Sequence, residues 1–471
     1  MTPTLTTSLH TLDINGILDC AGQWLTTIAD ALCGYPLFVL LIGGGLFLMC
    51  YSGFTSLRRL PHSIRVLRTK QSADGKATGQ ISSLQALASA VSATIGMGNI
   101  AGVAIALMMG GPGAIFWMWM SALVGMSTKY HEGVLAIKYK GRDRDGNPQG
   151  GTMHIIERGL GRKWKPLAIT FAFAGMLGTL CILNANQLTE ALVAGVWDGA
   201  DTVSLRFAIG VAIAAVVALV VLGGIRRIAK VASYLVPFMV ALYFALVSYI
   251  IVTHIQDVPG VIASIFTEAF NLRAGWGALA GIAIIGARRA AFVNDAGIGT
   301  ATIMHGASRN TEPVKEGLVA MLGPAIDSGL VCTLTALAIL LCGDISSGQV
   351  QGLTVAMQAF RTAIPYGDMF LLTIVLCFAM SSMFSYSFYG FTCASYLWGR
   401  RKARWYTYFF ILSLILFAVV PLKAAVGLCD LFYAFMAFHT MLALILLRKK
   451  VKEETRRYFN KTSTTPNTSS I

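Results

Sequence analysis

Ser92-Ala93-Thr94-Ile95-Gly96-Met97-Gly98-Asn99-Ile100-Ala101-Gly102 lies inside a run, Ala77 to Thr128, that contains no Asp, Glu, Lys, Arg or His. About 20 apolar residues cross a bilayer as one helix, so the run predicts two crossings. Three glycines and an asparagine weaken the first crossing near its middle, where lipid offers an opened backbone no hydrogen-bond partner. The freed peptide groups must therefore face protein, water or a solute. Secondary transporters build discontinuous helices in this way, and the half-helix beginning near Ile100 would present its positive dipole end to an anionic group such as a carboxylate. A dinucleotide loop fits poorly, because the third glycine comes one residue late and no acidic residue follows before Glu132. Close packing through small residues is the other ordinary use of such glycines. A second interrupted helix farther along shifts the balance toward a transport site.

Composition places most of the mass in a membrane: 55% of the 471 residues are hydrophobic and 13% are charged. A net charge of +15 in a soluble protein would suggest nucleic acid. Here the basic residues form short clusters between apolar spans and read as topology signals, so no nucleic-acid partner is expected. Nine cysteines, scattered without CxxC or Cys/His spacing, predict neither a metal site nor a disulfide framework, although Cys20 and Cys33 could pair outside the membrane. No basic stretch precedes the first apolar segment, which argues against a cleaved signal peptide. No nucleophile with a base partner stands out, so no enzyme activity is expected.

Eleven spans are expected, near 35–54, 82–108, 114–137, 166–195, 205–222, 228–252, 275–300, 316–341, 366–398, 405–421 and 424–447. Residues 1–33 read as an extracytoplasmic surface segment and 34–81 as an extra helix with its loop. Two five-helix halves follow, 82–253 and 254–447. A basic tail, 448–471, turns Ser/Thr/Asn-rich near Thr462. With the loop after the first span in the cytoplasm, all of the 37 Lys and Arg except Arg206, Arg273, Arg361 and Lys423 fall on that side, Lys129 at an inner helix end. The outer loops carry Asp198, Asp201, Asp257, Glu268 and Asp344. This bias predicts an outside N-terminus and a cytoplasmic C-terminus. His154 and His305 then read as cytoplasmic surface residues.

The seventh span, Trp276-Gly277-Ala278-Leu279-Ala280-Gly281 onward, meets Arg288-Arg289 after about a dozen apolar residues, too few to cross alone, and continues through Asn294-Asp295-Ala296-Gly297-Ile298-Gly299. Each half thus opens with a Gly-interrupted helix, and because five is odd the second half enters the membrane with opposite orientation. An inverted repeat with corresponding interrupted helices points to a binding site at the membrane midplane.

Several of these stretches resemble the alanine/glycine:cation symporter family. They are Thr94 to Gly102, Gly110-Gly111-Pro112-Gly113-Ala114-Ile115-Phe116-Trp117-Met118-Trp119, Gly150-Gly151-x-Met153, Ile156-Glu157-Arg158-Gly159-Leu160-Gly161, Arg289, Phe292, Asn294, Ala296-Gly297, Gly317 to Gly323, and Ile326-Asp327. The resemblance runs from about Gly53 to about Leu447. It implies an all-α membrane protein with the LeuT-type 5+5 inverted repeat behind one extra N-terminal helix. It also implies import of alanine, glycine or another neutral amino acid with sodium, in a bacterial cytoplasmic (inner) membrane, without a cofactor or an obligate protein partner. Carried over residue by residue, Thr94, Gly96, Gly98 and Asn99 fall in the substrate region, with Asn184, Asn186, Gly281 and Tyr386 as further candidates. Backbone carbonyls near Ser92 and Ile95, with Ser381 or Ser382, would hold sodium. The chain departs from the family at Leu180-Cys181 (usually Gly-Asn), Asn184 (Gln), Ser385-Tyr386 (Gly-Trp), Phe391 (acidic), Asp295 (Glu) and Thr152 (often Pro). These departures unsettle the substrate more than the fold. Proton coupling, through Asp327 or Asp430, and a transporter-like amino-acid sensor are the competing readings.

Overall fold

The structure is a computed structural model and describes residues 35–68, 79–197, 201–270, 276–343, 352–420 and 422–464. The expectations for 1–33, for a Cys20–Cys33 pair, for Lys70, Lys76, Asp198, Arg273 and Asp344, and for the tail beyond 464 lie outside the described residues.

The first described helix, the apolar α1 (Tyr35–Tyr51), leads to a short basic helix, α2 (Leu60–Arg68). Then α3 (Ser83–Thr94) begins at a capping box: the Ser82 hydroxyl accepts the Gln85 N–H at 3.2 Å, and the Gln85 side chain accepts the Ser82 N–H at 3.0 Å. The chain turns by 56° and resumes as α4 (Gly98–Gly110), so the expected interruption is present. The turn into α5 (Gly113–Lys138) needs its glycines, because a Cβ on Gly113 would lie 2.6 Å from the Glu268 and Ala269 backbone. A two-stranded hairpin, β1 (Gly141–Arg142) with β2 (Pro148–Gln149), precedes α6 (Lys165–Gly178) and α7 (Ile182–Val196). Next come α8 (Val203–Val221), α9 (Gly224–Thr253) and a short apolar helix, α10 (Val258–Ala269).

The chain goes on with α11 (Trp276–Asn294) and α12 (Thr300–Gly306). It continues with α13 (Pro313–Cys342), the short α14 (Leu353–Ala363), α15 (Gly367–Trp398), α16 (Arg400–Val419) and α17 (Leu422–Thr464). The seventh span is interrupted later than its glycines suggest. Gly277, Gly281 and Gly286 sit inside continuous helix, since a helical glycine costs only about 1 kcal/mol relative to alanine. Gly286 serves close approach instead, with Trp117 Cβ 3.0 Å from where its own Cβ would lie. The break comes at Asp295–Gly299, where Asp295 (φ 51°), Gly297 (φ 88°) and Gly299 (φ 99°) take left-handed conformations that no helix accommodates.

Seven helices are long and apolar enough to cross a membrane, or eight if the bent pair α3/α4 counts as one span. Eleven is more than length and composition alone support among the described residues. The discrepancy has a physical source in α5, which spends Ser, Thr, Lys and Glu side chains on protein neighbours rather than lipid. The loops assigned to the cytoplasm do meet at one end. Lys138 pairs with Glu454 at 2.5 Å, Arg457 with Glu312 at 3.4 Å, Lys140 donates to the Ser308 carbonyl at 2.6 Å, and the Arg400 N–H donates to Asp145 at 2.6 Å. At the other end Trp117 donates to the Ala269 carbonyl and Trp119 to Thr333.

Candidate functional site

The first break is shaped by its own asparagine. Ile95 leaves α3 with an extended backbone (φ −70°, ψ 97°), and the Asn99 Oδ1 reaches back to accept the Gly96 N–H at 2.9 Å. The other end of that amide donates to the Asp327 carboxylate on α13 and lies 3.5 Å from Cys332 Sγ. Gly98–Gly102 is a π-helical turn, a wider coil frequent at functional sites.

Helix α15 closes the other side. Ser92 donates its hydroxyl to the Ser381 carbonyl at 2.9 Å, and its own carbonyl accepts the hydroxyls of Ser381 and Ser382, each at 3.2 Å. The Ser385 hydroxyl donates to Ser92 Oγ at 3.4 Å. Gly96 faces the same cluster, since a Cβ there would lie 2.8 Å from Ser382 Oγ. Ser92, Gly96, Ser381 and Ser382 are thus brought together, with Ile95 fully buried beside them in sequence. Hydroxyl and carbonyl oxygens of this kind can replace the hydration shell of a monovalent cation without a fixed carboxylate. Thr94 turns its hydroxyl to the Val91 carbonyl at 3.3 Å. Gly98 abuts the second interrupted helix, where Val293 Cγ2 lies 3.2 Å from the position of a Cβ.

The second break is tied down by long-range partners. The Gly299 N–H donates to Glu132 at 3.1 Å, the Ile298 carbonyl accepts Thr440 at 3.0 Å, and Asp295 accepts the Tyr386 hydroxyl at 2.5 Å and Thr300 at 3.3 Å. Tyr433 donates to Tyr386 at 2.8 Å, and the two rings stack at 6.5 Å. Tyr386 therefore belongs to the second break. Asn184 is partly exposed, with its amide nitrogen 4.0 Å from Cys181 Sγ. Asn186 donates to the carbonyls of Phe417 and Val420, which ties it to the end of α16 rather than to either break. Gly281 lies in the continuous part of α11, with no described atom within 4 Å of where its Cβ would be.

Three side chains read as surface or loop-end residues are interior. His305 is 1% exposed and hydrogen-bonded to Glu316 at 2.7 Å, and His154 is 3% exposed and bonds Gln149 at 3.0 Å. Lys129 is 4% exposed, one turn from the buried Glu132. For Lys129 alone a signal was in the sequence. The polar run Lys129-Tyr130-His131-Glu132 sits inside a helix that continues through apolar Val134 to Ile137, so it does not end where its charges begin.

The chain matches the model of the sodium:alanine symporter family over residues 19–470. It is 38% identical to an uncharacterized transporter of Haemophilus influenzae, covering 93% of this chain and 96% of that protein. It is 36% identical to the sodium/alanine symporter AgcS of Methanococcus maripaludis, over 92% and 96% respectively. Among solved structures it is similar in fold to MhsT in complex with L-phenylalanine, with a TM-score of 0.53 and 14% identity over 80% of this chain and 98% of that one.

Proposed function

The chain belongs to the sodium:alanine symporter family, and on that premise we propose that it imports a small neutral amino acid, alanine or glycine foremost, together with sodium by alternating access. The observation that carries the proposal is the unwound turn Ile95–Gly96, whose upstream Ser92 carbonyl meets two hydroxyls of a distant helix. Sodium takes Ser92, Ile95, Ser381 and Ser382. The amino acid lies against Thr94, Gly96, Gly98 and Asn99, where the free N–H groups at the start of α4 receive its carboxylate. Tyr386 bounds the pocket from the second break, and Asn184, Asn186 and Gly281 are its more distant candidates. The protein crosses the membrane eleven times as two inverted five-helix halves, 82–253 and 254–447, behind α1. It sits in a bacterial inner membrane with its C-terminus in the cytoplasm. The clustering of basic loops at one end supports this orientation.

A membrane potential contributes about 2.3 kcal/mol per charge per 100 mV, enough for one sodium to drive roughly fifty-fold accumulation. The test is uptake of labelled alanine by proteoliposomes with sodium replaced by choline, beside a competition panel of neutral L- and D-amino acids. Uptake should fall to background in choline, and small neutral amino acids should compete best. Uptake unchanged in choline rules out sodium coupling.

A further inference from the structure

A cavity of about 550 Å³ opens at the end where the basic loops meet, between the start of α16, the turn from α8 into α9 and the second half of α15. Leu222 and Tyr408 line it and are 58% and 50% exposed, so it opens on the outer surface of the helices. That surface suits a bilayer: α8, α9 and α16 are long and apolar enough to cross one, and only 28%, 28% and 39% of their most apolar stretches are buried inside the protein. Behind the opening the wall is apolar, with Ile225 and Ile228 of α9 and Phe388 and Phe391 of α15. Arg400 and Arg404 line the same cavity one helical turn apart and are exposed, and neither guanidinium has an ion pair or hydrogen bond among the described residues. The carboxylates beside them are engaged elsewhere. Asp143 accepts the backbone N–H groups of Asp145 and Asn147 at 3.0 and 2.8 Å, and Asp145 accepts the Arg400 backbone N–H at 2.6 Å. Arg226, Arg227 and Lys230 add exposed positive charge on the first turns of α9.

We propose that this cavity binds an anionic phospholipid, with an acyl chain entering past Leu222 and Tyr408 onto the isoleucine and phenylalanine wall and the headgroup phosphate held by Arg400 and Arg404. A guanidinium fork matches two phosphate oxygens, and basic pockets between membrane helices hold such headgroups. The chemistry of the lining selects this occupant. An inorganic anion would use the arginines but not the apolar wall, and a zwitterionic amino acid would find Asp143 already committed to its turn. Phe391 stands where an acidic residue is usual in the family, so this chain lacks a carboxylate that would repel a phosphate. The inference rests on the membrane placement proposed above and not on which solute or ion is carried.

The test uses the full chain, purified in detergent and stripped of lipid, and counts bound lipid by native mass spectrometry while thermal unfolding is followed in parallel. The probes are phosphatidylglycerol and phosphatidylcholine with identical acyl chains. The wild type should retain phosphatidylglycerol in preference to phosphatidylcholine and unfold at a higher temperature with it. A basic side chain beside an anionic headgroup contributes a factor of about five in affinity, so Arg400→Ala together with Arg404→Ala should cut the preference about 25-fold. Phe391→Glu should weaken it as well, by returning a negative charge to the wall. Arg401→Ala together with Lys402→Ala removes the same charge from exposed residues of the same helix that do not line the cavity, and should leave the preference unchanged. No preference in the wild type, an equal loss in both double variants, or the same rise in unfolding temperature from inorganic phosphate alone overturns the inference. Should the double variants fail to fold, the wild-type preference and Phe391→Glu still decide. Binding is read here without transport, so absence of sodium-driven uptake overturns the carrier proposal and leaves the lipid site standing.

Discussion

Cys181 adopts a left-handed backbone (φ 55°) at the bend between α6 and α7, a conformation that costs a side-chain-bearing residue about 1–2 kcal/mol and that Gly or Asn enters more readily. The departure from Gly-Asn at Leu180-Cys181 therefore alters a hinge beside Asn184. His154 shows a different use of burial. It lies in the connection between α5 and α6, outside the spans, with Nε2 bonded to Gln149, whose own amide donates to the Thr392 carbonyl at 2.8 Å. Burial pushes its pKa down to about 4, so the folded state keeps the ring neutral while the unfolded chain protonates near its ordinary value. Between those values the unfolded state binds more protons, so stability is full above the unfolded pKa and is lost as pH falls. A shift of this size corresponds to about 3 kcal/mol, partly offset by relaxation of the loop. Thermal unfolding in detergent at neutral and mildly acid pH should show a drop in Tm that His154→Gln reduces. An identical drop in the variant rules out His154 as its source.

Among the elements, the start of α3 and the end of α12 are knotted together at the end where the basic loops meet. Glu316 accepts Ser83 at 2.5 Å, Ser308 at 3.0 Å and His305 at 2.7 Å, while the Gln80 N–H donates to the Ala307 carbonyl at 2.9 Å and the Arg309 N–H to the Ile81 carbonyl at 2.7 Å. Beside the knot opens a cavity of about 550 Å³ whose lining includes Gln80, Gly150, Ile303, Ala307, Thr392 and Arg404. In the proposed carrier, release at this end would require the start of α3 to part from the end of α12. Hydrogen bonds to a charged group contribute about 1.5–3 kcal/mol each, so Glu316→Gln should favour the parted state. A cysteine introduced at Ala307 should then react severalfold faster with a water-soluble thiol reagent in the Glu316→Gln background. An equal rate contradicts a gating role for the knot.

The two breaks differed in how far the sequence disclosed them. The first was legible, because three glycines and Asn99 sit in an uncharged run where a helix has no other reason to be weak. The second was legible as an interruption but not in position. Gly277 and Gly281 are visible in the sequence yet tolerated in helix, whereas Asp295 becomes left-handed through partners, Tyr386 and Thr300, that only the folded chain assembles. The interior charges were hidden for the same reason. Glu316 reads as a loop-edge carboxylate until Ser83 and His305 arrive from other helices.

Across the whole molecule, the separation of ends is the feature that sequence charge alone anticipated. Basic loops meet one another at one end, and at the other Trp117 meets Ala269 and Trp119 meets Thr333, with the neutral serine cluster and the buried carboxylates between them. The most direct measurement is the steady-state level of labelled alanine in proteoliposomes under an imposed inward sodium gradient at clamped pH. A sodium-coupled carrier concentrates the label above its outside level and loses it when a sodium ionophore collapses the gradient. Binding without accumulation, or accumulation that survives the ionophore, contradicts it.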